Sequence, residues 1–247
     1  MSRLRPTRIS DLKITVTIPV GPEPQHRQWL DDCLGSIGAQ TRLPDEVLLI
    51  DDMAGLPAEL GHTYPFPVRI WRSPWLLGTT SAFNFGVALA EYDLVLMLGS
   101  DDLLAPACVE SCLAQYNASG QQDAYYYLPF MYGFRGVEGY KDADKPSTEI
   151  TNNAMVTKGL WKKTGGFPLV AAMGPCDYIM GAVLKKSGFP YILVASIPTR
   201  RETLYWFRIH DKSQTRKRLD ECPGWPPDLV RDLVEASWRT PQWGRFK

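Results

Sequence analysis

Apolar and polar positions alternate along the first hundred residues in a way that repeats one unit. Residues 14–18 place Ile14, Val16 and Ile18 on one face of a strand and Thr15 and Thr17 on the other, and Pro19 with Gly21, Pro22 and Pro24 should stop that strand in a loop. Trp29, Leu30, Cys33, Leu34 and Ile37 then recur at helical spacing as far as Gly38. The apolar run 47–50 closes on Asp51 and Asp52, so strand, helix and strand lead to a pair of carboxylates. Residues 68–71 form a third candidate strand, Gly78 opens a helix over 80–90, and the fourth strand, 92–98, ends in Gly99-Ser100-Asp101-Asp102. Strands that alternate with helices predict βαβ units and a mainly parallel sheet.

Beyond Asp102 the repeat loosens. Residues 105–116 read as a helix, 125–132 as one aromatic strand, and 135–150 as a polar, Gly-bearing loop. A strand over 153–157, a helical turn over 159–163 and a turn at 165–168 precede a helix over 176–186, which Gly188 ends. Residues 191–197 and 203–209 are the last strand candidates. The expected fold is α/β, with a Rossmann-like sheet flanked by helices, a mixed second half and a short C-terminal helical tail. We divide it into a leader (1–12), a main domain (13–220, split into halves 13–104 and 105–220) and the tail (221–247). In the tail, a helix over 228–238 and Trp225, Trp238 and Trp243 suit either docking onto the body or a membrane interface.

Composition narrows the function classes. With Lys plus Arg and Asp plus Glu at 27 each, no global field points to nucleic acid. No run reaches the roughly 18 to 20 apolar residues that span a bilayer, and residues 1–6 lack the apolar centre of a signal peptide, which favours the cytoplasm, with peripheral membrane contact left to the tail. The 5 cysteines are odd in number and contain no Cys-x-x-Cys, so neither a disulfide framework nor a zinc knuckle is indicated. Neither Gly-x-Gly-x-x-Gly nor a P-loop occurs, which argues against dinucleotide-dependent dehydrogenases and P-loop enzymes.

Two adjacent carboxylates at the end of a buried strand lie where ligands bind an open α/β sheet, and a divalent cation with a phosphate could meet them there. The plain alternative is a helix N-cap for the segment that begins near Ala105.

Several short motifs, in order, resemble the family 2 glycosyltransferases of the GT-A fold. They are Thr17-Ile18-Pro19; Leu34-Gly35-Ser36-Ile37-Gly38-Ala39-Gln40-Thr41; Ile50-Asp51-Asp52; Gly78 with Ala82, Asn84 and Gly86; and Gly99-Ser100-Asp101-Asp102-Leu103-Leu104-Ala105-Pro106. Gly165-Gly166-Phe167, Cys176-Asp177-Tyr178 and Arg208-Ile209-His210-Asp211-Lys212-Ser213 complete the series, so the likeness spans about residues 14–215. The chain departs from the pattern at Gly99, where the family's Asp-x-Asp has its first carboxylate, at Phe83 in place of an arginine, and at Cys176 in place of an acid.

The resemblance implies an inverting enzyme that moves a sugar from a nucleoside-diphosphate donor, UDP-linked by preference, to a hydroxyl of a glycan or other acceptor. It implies that Pro19, Val20 and Asp52 hold the nucleoside, and that Gly78, Asn84 and Ser100 belong to the donor site. Asp101 and Asp102, with His210, would hold Mn²⁺ or Mg²⁺ against the phosphates, and Asp177 would act as the base. For Asp52 a turn-forming role before Ala54-Gly55 stays open. For the cations after His210, a lid over the diphosphate and a solvated basic face are both open. The three departures also leave a second class of function, a catalytically silent GT-A domain that binds a glycan or a partner protein.

Overall fold

The computed structural model describes residues 8–132, 150–167, 176–194 and 203–208. Strands Ile14–Val20 (β1), Glu46–Asp51 (β2), Val68–Arg72 (β3) and Leu94–Met97 (β4) are mutually parallel, in the order β3-β2-β1-β4. The βαβ expectation therefore holds. Beyond β4 the sheet continues through Ala154–Thr157 (β8), which is antiparallel to both its neighbours, then Tyr125–Tyr127 (β6) and Tyr191–Leu193 (β9). A second, small sheet joins Leu103–Leu104 (β5), Tyr205–Phe207 (β10) and Phe130–Tyr132 (β7).

Period-2 alternation sorts the core onto the two faces of the large sheet. Ile14, Val16, Ile18, Val47, Leu49, Leu94 and Leu96 point to one side, where Leu30–Gly38 (α2), which follows the short helix Pro24–Gln28 (α1), and Cys108–Ala118 (α4) cover them with Leu34, Ile37, Val109 and Leu113. Val95, Met97, Tyr125 and Val156 point to the other side, beneath Gly78–Leu89 (α3), Lys158–Thr164 (α5) and Cys176–Ser187 (α6). Because both faces are covered, the threonines of β1 are buried as well. Thr15 donates to Glu46 Oε2 at 2.6 Å and Thr17 to the Leu48 carbonyl at 3.3 Å, which satisfies each hydroxyl.

The structure corrects the sequence reading in four places. Pro19 does not stop β1, which runs on to Val20. The Leu98 N–H bonds to the Thr17 carbonyl, so Thr17 and, two residues on, Pro19 turn their backbones toward β4, which has ended by Met97; the missing N–H of Pro19 thus costs no ladder bond. The aromatic run 125–132 is two strands in different sheets, β6 and β7, separated at Leu128-Pro129. Leu103 and Leu104, to which the sequence reading assigns no element, form β5. The following helix starts at Cys108 rather than Ala105, whose N–H is bonded to the Leu204 carbonyl. The polar loop expected over 135–150 lies, except for Ile150, outside the described residues, as does the C-terminal tail. Among the described residues no helix is long and apolar enough to cross a membrane.

α3 lies close on β1 because Gly86 has no side chain: a Cβ there would overlap the Thr17 hydroxyl and come within 3.1 Å of the Thr17 Cβ. Gly86→Ala would gain about 1 kcal/mol of helix propensity but lose about 1–3 kcal/mol to overpacking against a β-branched neighbour. We expect net destabilisation in urea unfolding, and near-neutrality for the same change in a Thr17→Ala background.

Candidate active site

In this strand order the chain leaves β1 toward β2 on one side and β4 extends the sheet on the other, so the loops after β1 and β4 diverge and leave a crevice between them. Pro19 and Val20 form one wall. Pro19 is half-buried, while the Val20 side chain enters the core and its carbonyl accepts from the Asp52 N–H at 2.9 Å.

The two aspartates after β2 divide their work. Asp51 accepts from the N–H groups of Gly55 and Leu56 at 3.0 and 2.9 Å and lies 3.6 Å from Arg72 Nε, so it makes the turn that the sequence offered to Asp52. Met53 adopts φ 63° within that turn. The buried carboxylate of Asp52 instead accepts from Leu77 N at 2.6 Å and Gly78 N at 2.9 Å, tying the β2 loop to the start of α3. Gly78 sits at φ 74°, where a side chain would be strained. A carboxylate has about four acceptor positions, so these two bonds do not exhaust Asp52. Met53, Trp75 and Leu76, all exposed, rim the same pair of loops.

Asn84, expected in the donor site, is fully buried and bonded twice to Phe167: its Nδ2 donates to the Phe167 carbonyl and its Oδ1 accepts the Phe167 N–H, each at 2.9 Å. It fastens the Gly165-Gly166-Phe167 turn to α3.

Residues 99–102 make the tight turn at the end of β4, closed by the Asp102 N–H on the Gly99 carbonyl at 3.2 Å. Asn153, just before β8, binds both ends of it: its Oδ1 accepts the Gly99 N–H at 2.9 Å and its Nδ2 donates to Asp102 Oδ2 at 2.5 Å. Asp102 Oδ1 accepts the Arg208 N–H at 2.8 Å. Burial, and next the charge of Asp101, push the Asp102 carboxyl well above the usual carboxylate range. A buried carboxylate in that position favours a positive counter-charge. Asp101 is half-buried and Ser100 is buried. A Cβ on Gly99 would lie 2.9 Å from Asp102 Oδ2 and 3.0 Å from Asp101 Oδ1, so the absent side chain leaves a cradle between the two carboxylates. The Cys33 thiol donates to the Gly99 carbonyl at 3.5 Å, and burial followed by the nearby Asp102 and Asp101 charges raises its pKa.

Asp177 is in the first turn of α6, and its side chain is half-buried. It shares an electrostatic neighbour with the carboxylate turn, Tyr205 of β10. The Tyr205 hydroxyl is 2.7 Å from Thr151 Oγ1; burial pushes its pKa up, and the charges of Asp102 and Asp177 both raise it further. Asp102 and Asp177 therefore both lie within electrostatic reach of the buried Tyr205 hydroxyl, which Thr151 holds. His210 lies outside the described residues. Among the described residues, no three His, Cys, Asp or Glu side chains converge to hold a metal ion.

Asn153 and Arg208 are the residues that the sequence reading did not single out as site residues. Asn153 carries no local signal, since its partners are more than 50 positions away. Arg208 opens the last of the recognised motifs, and only its position there pointed to it.

The model of glycosyl transferase family 2 matches residues 15–166. An uncharacterized glycosyltransferase of Haemophilus influenzae is 29% identical over 94 residues, which cover 36% of this chain and 35% of that protein. The structure of S. aureus TarS 1–349 in complex with UDP aligns with a TM-score of 0.60 at 13% identity, over 92% of this chain and 65% of that one. The same TarS fragment with UDP-GlcNAc gives a TM-score of 0.59 at 14% identity, over 92% and 66%. The chain thus spans about a third of the curated relative, and at these identities the TarS structures show a shared fold.

Asn153→Ala would leave the Gly99 N–H and Asp102 Oδ2 without their partner in a buried setting, at a cost of about 1–3 kcal/mol. Urea unfolding of the variant should show a midpoint shift of that size with an unchanged slope.

Proposed function

The chain belongs to glycosyl transferase family 2, and from that membership we propose that it moves a sugar from a nucleoside-diphosphate donor, with UDP as the nucleotide, to a hydroxyl acceptor. The observation that carries this reading is the pinned Asp101–Asp102 turn at the end of β4, at the crevice where an open α/β sheet takes its ligands. The UDP and UDP-GlcNAc bound by the similar TarS structures support the same donor class.

The donor set suits a divalent cation. Two hard oxygen donors flank the Gly99 cradle, and Asp102 spends one bond per oxygen on Asn153 and Arg208, which leaves acceptor capacity on both. Asp101 and Asp102 would hold Mn²⁺ or Mg²⁺, with His210 as a further ligand. When bound, such an ion supplies positive charge against the diphosphate.

The chain's own residues do the remaining work. Pro19 and the Val20 backbone border the nucleoside, and Asp52 keeps the Leu77–Gly78 loop in place beside it while retaining acceptor capacity for a base N–H or a ribose hydroxyl. Ser100 lines the turn. Asp177 takes the proton of the acceptor hydroxyl as its oxygen forms the new bond to the anomeric carbon; the bond from that carbon to the diphosphate oxygen breaks with its electron pair leaving on UDP. A single displacement inverts the configuration, so an α-linked donor gives a β-linked product. The acceptor is a glycan or another hydroxyl-bearing molecule. Gly99, in place of the family's first carboxylate, favours one second reading: a domain that binds a glycan or protein without catalysis. Metal-dependent release of UDP from the donor separates the two.

Thermal-shift titration should show that UDP and Mn²⁺ each stabilise the protein more in the presence of the other, with Asp101→Asn removing the coupling. Additive shifts in the wild type would place the cation elsewhere.

Asp177→Asn keeps the size and hydrogen-bonding oxygen of the side chain in the first turn of α6 but removes the proton acceptor at neutral pH. Transfer should fall by at least about 10²-fold, within the range for loss of a general base, while UDP and Mn²⁺ binding stay intact. Wild-type turnover at saturating acceptor would assign the base to another residue.

A further inference from the structure

Arg208 is where the carboxylate turn meets the first long helix. Its main-chain N–H donates to Asp102 Oδ1 at 2.8 Å and its Nε donates to the Asp101 carbonyl at 2.8 Å. From the same planar group Nη2 reaches Asp32 Oδ2 in α2 at 3.2 Å, and the guanidinium carbon stands 4.8 Å from the centre of the Trp29 ring. The Arg208 side chain is only 13% exposed, against 63% for Asp32. One residue therefore holds both aspartates of the turn, and two residues at the start of α2 hold that residue.

Joining α2 to the end of β10 would need only the Asp32 pair and the Trp29 stack, and a pair with one partner this exposed contributes little to folding. The bonds to residues 101 and 102 call for another account. Arginine has no lone pair to offer a cation, so it is no ligand itself. Its fork can grip two elements from one edge while its face stacks on an aromatic ring, which lysine cannot reproduce. Groups of this kind, one bond behind the ligands, set ligand orientation.

We propose that Arg208, clamped by Trp29 and Asp32, is the positioning residue that holds Asp101 and Asp102 in the geometry that takes a divalent cation together with a nucleoside diphosphate. This rests on the donor reading above.

The test is calorimetry of UDP with and without Mn²⁺, together with uridine without metal, on the wild type, Arg208→Lys, Trp29→Ala and Arg69→Lys. Arg69 pairs with Glu46 at the opposite end of β2 and serves as the matched control. Arg208→Lys should lose roughly 10- to 100-fold of the Mn²⁺-dependent gain in UDP affinity and leave uridine affinity unchanged. Trp29→Ala, which removes only the stacking platform, should lose roughly two- to fivefold. Arg69→Lys should lower the melting temperature and leave the gain intact. A wild-type gain preserved in Arg208→Lys, measured well below its melting temperature, overturns the assignment alone. If Arg208→Lys does not fold, a wild-type gain preserved in Trp29→Ala overturns it equally. Absence of any gain in the wild type overturns the donor reading and this assignment with it.

Discussion

A carboxylate that leaves water must be hydrogen-bonded, and the Asp102 carboxylate organises the carboxyl end of β4 and what packs there through that requirement. Its two oxygens are met from opposite directions, by the Asn153 amide ahead of β8 and by the Arg208 main chain after β10. Neither partner is near Asp102 in sequence. To bring them there, β8 must pair with β4, and β10 must pair with β5 immediately beyond the turn. The mixed second half of the fold, the antiparallel β8 and the small second sheet thus share a result: each delivers a donor to one buried acid.

The same economy governs the β2 end of the sheet. Asp51 and Asp52 are adjacent and both buried, yet each is bonded by a different pair of backbone N–H groups. One closes its own loop and the other reaches across to α3. Asn84 does for the Gly165–Phe167 turn what Asp52 does for Gly78. Polar side chains at this edge of the molecule mainly fix backbone, and fixed backbone gives the crevice its shape.

The first half of the fold was legible because its signals are local. Alternation marked β1, short apolar runs marked β2 and β4, helical spacing marked α2, and the acids at strand ends marked the carboxyl edge of the sheet. The misreadings share a cause in long-range pairing. β5 is two residues long, too short to leave a periodic trace, and it exists because it pairs with β10 across the chain. Pro19 looked like a stop because local rules do not know that β4 has already ended beside it. In the same way, spacing could mark Asp101 and Asp102 as candidates but could not find Asn153, whose importance lies wholly in what it touches.

The antiparallel insertion of β8 has a consequence for how the protein is made. β8 lies between β4 and β6, so the outer edge of β4 stays open until residues 154–157 have been synthesised. The first four strands can assemble while the ribosome is still adding the rest, but they do so with a row of unsatisfied backbone groups on Leu94–Met97, the kind of edge that pairs with other chains. More than 50 residues separate that strand from its cover, so the nascent chain carries its aggregation hazard at the same strand that will end in the carboxylate turn. The apolar sequence that delivers Asp101 and Asp102 to the sheet edge is also a segment exposed to misassembly before the fold is closed.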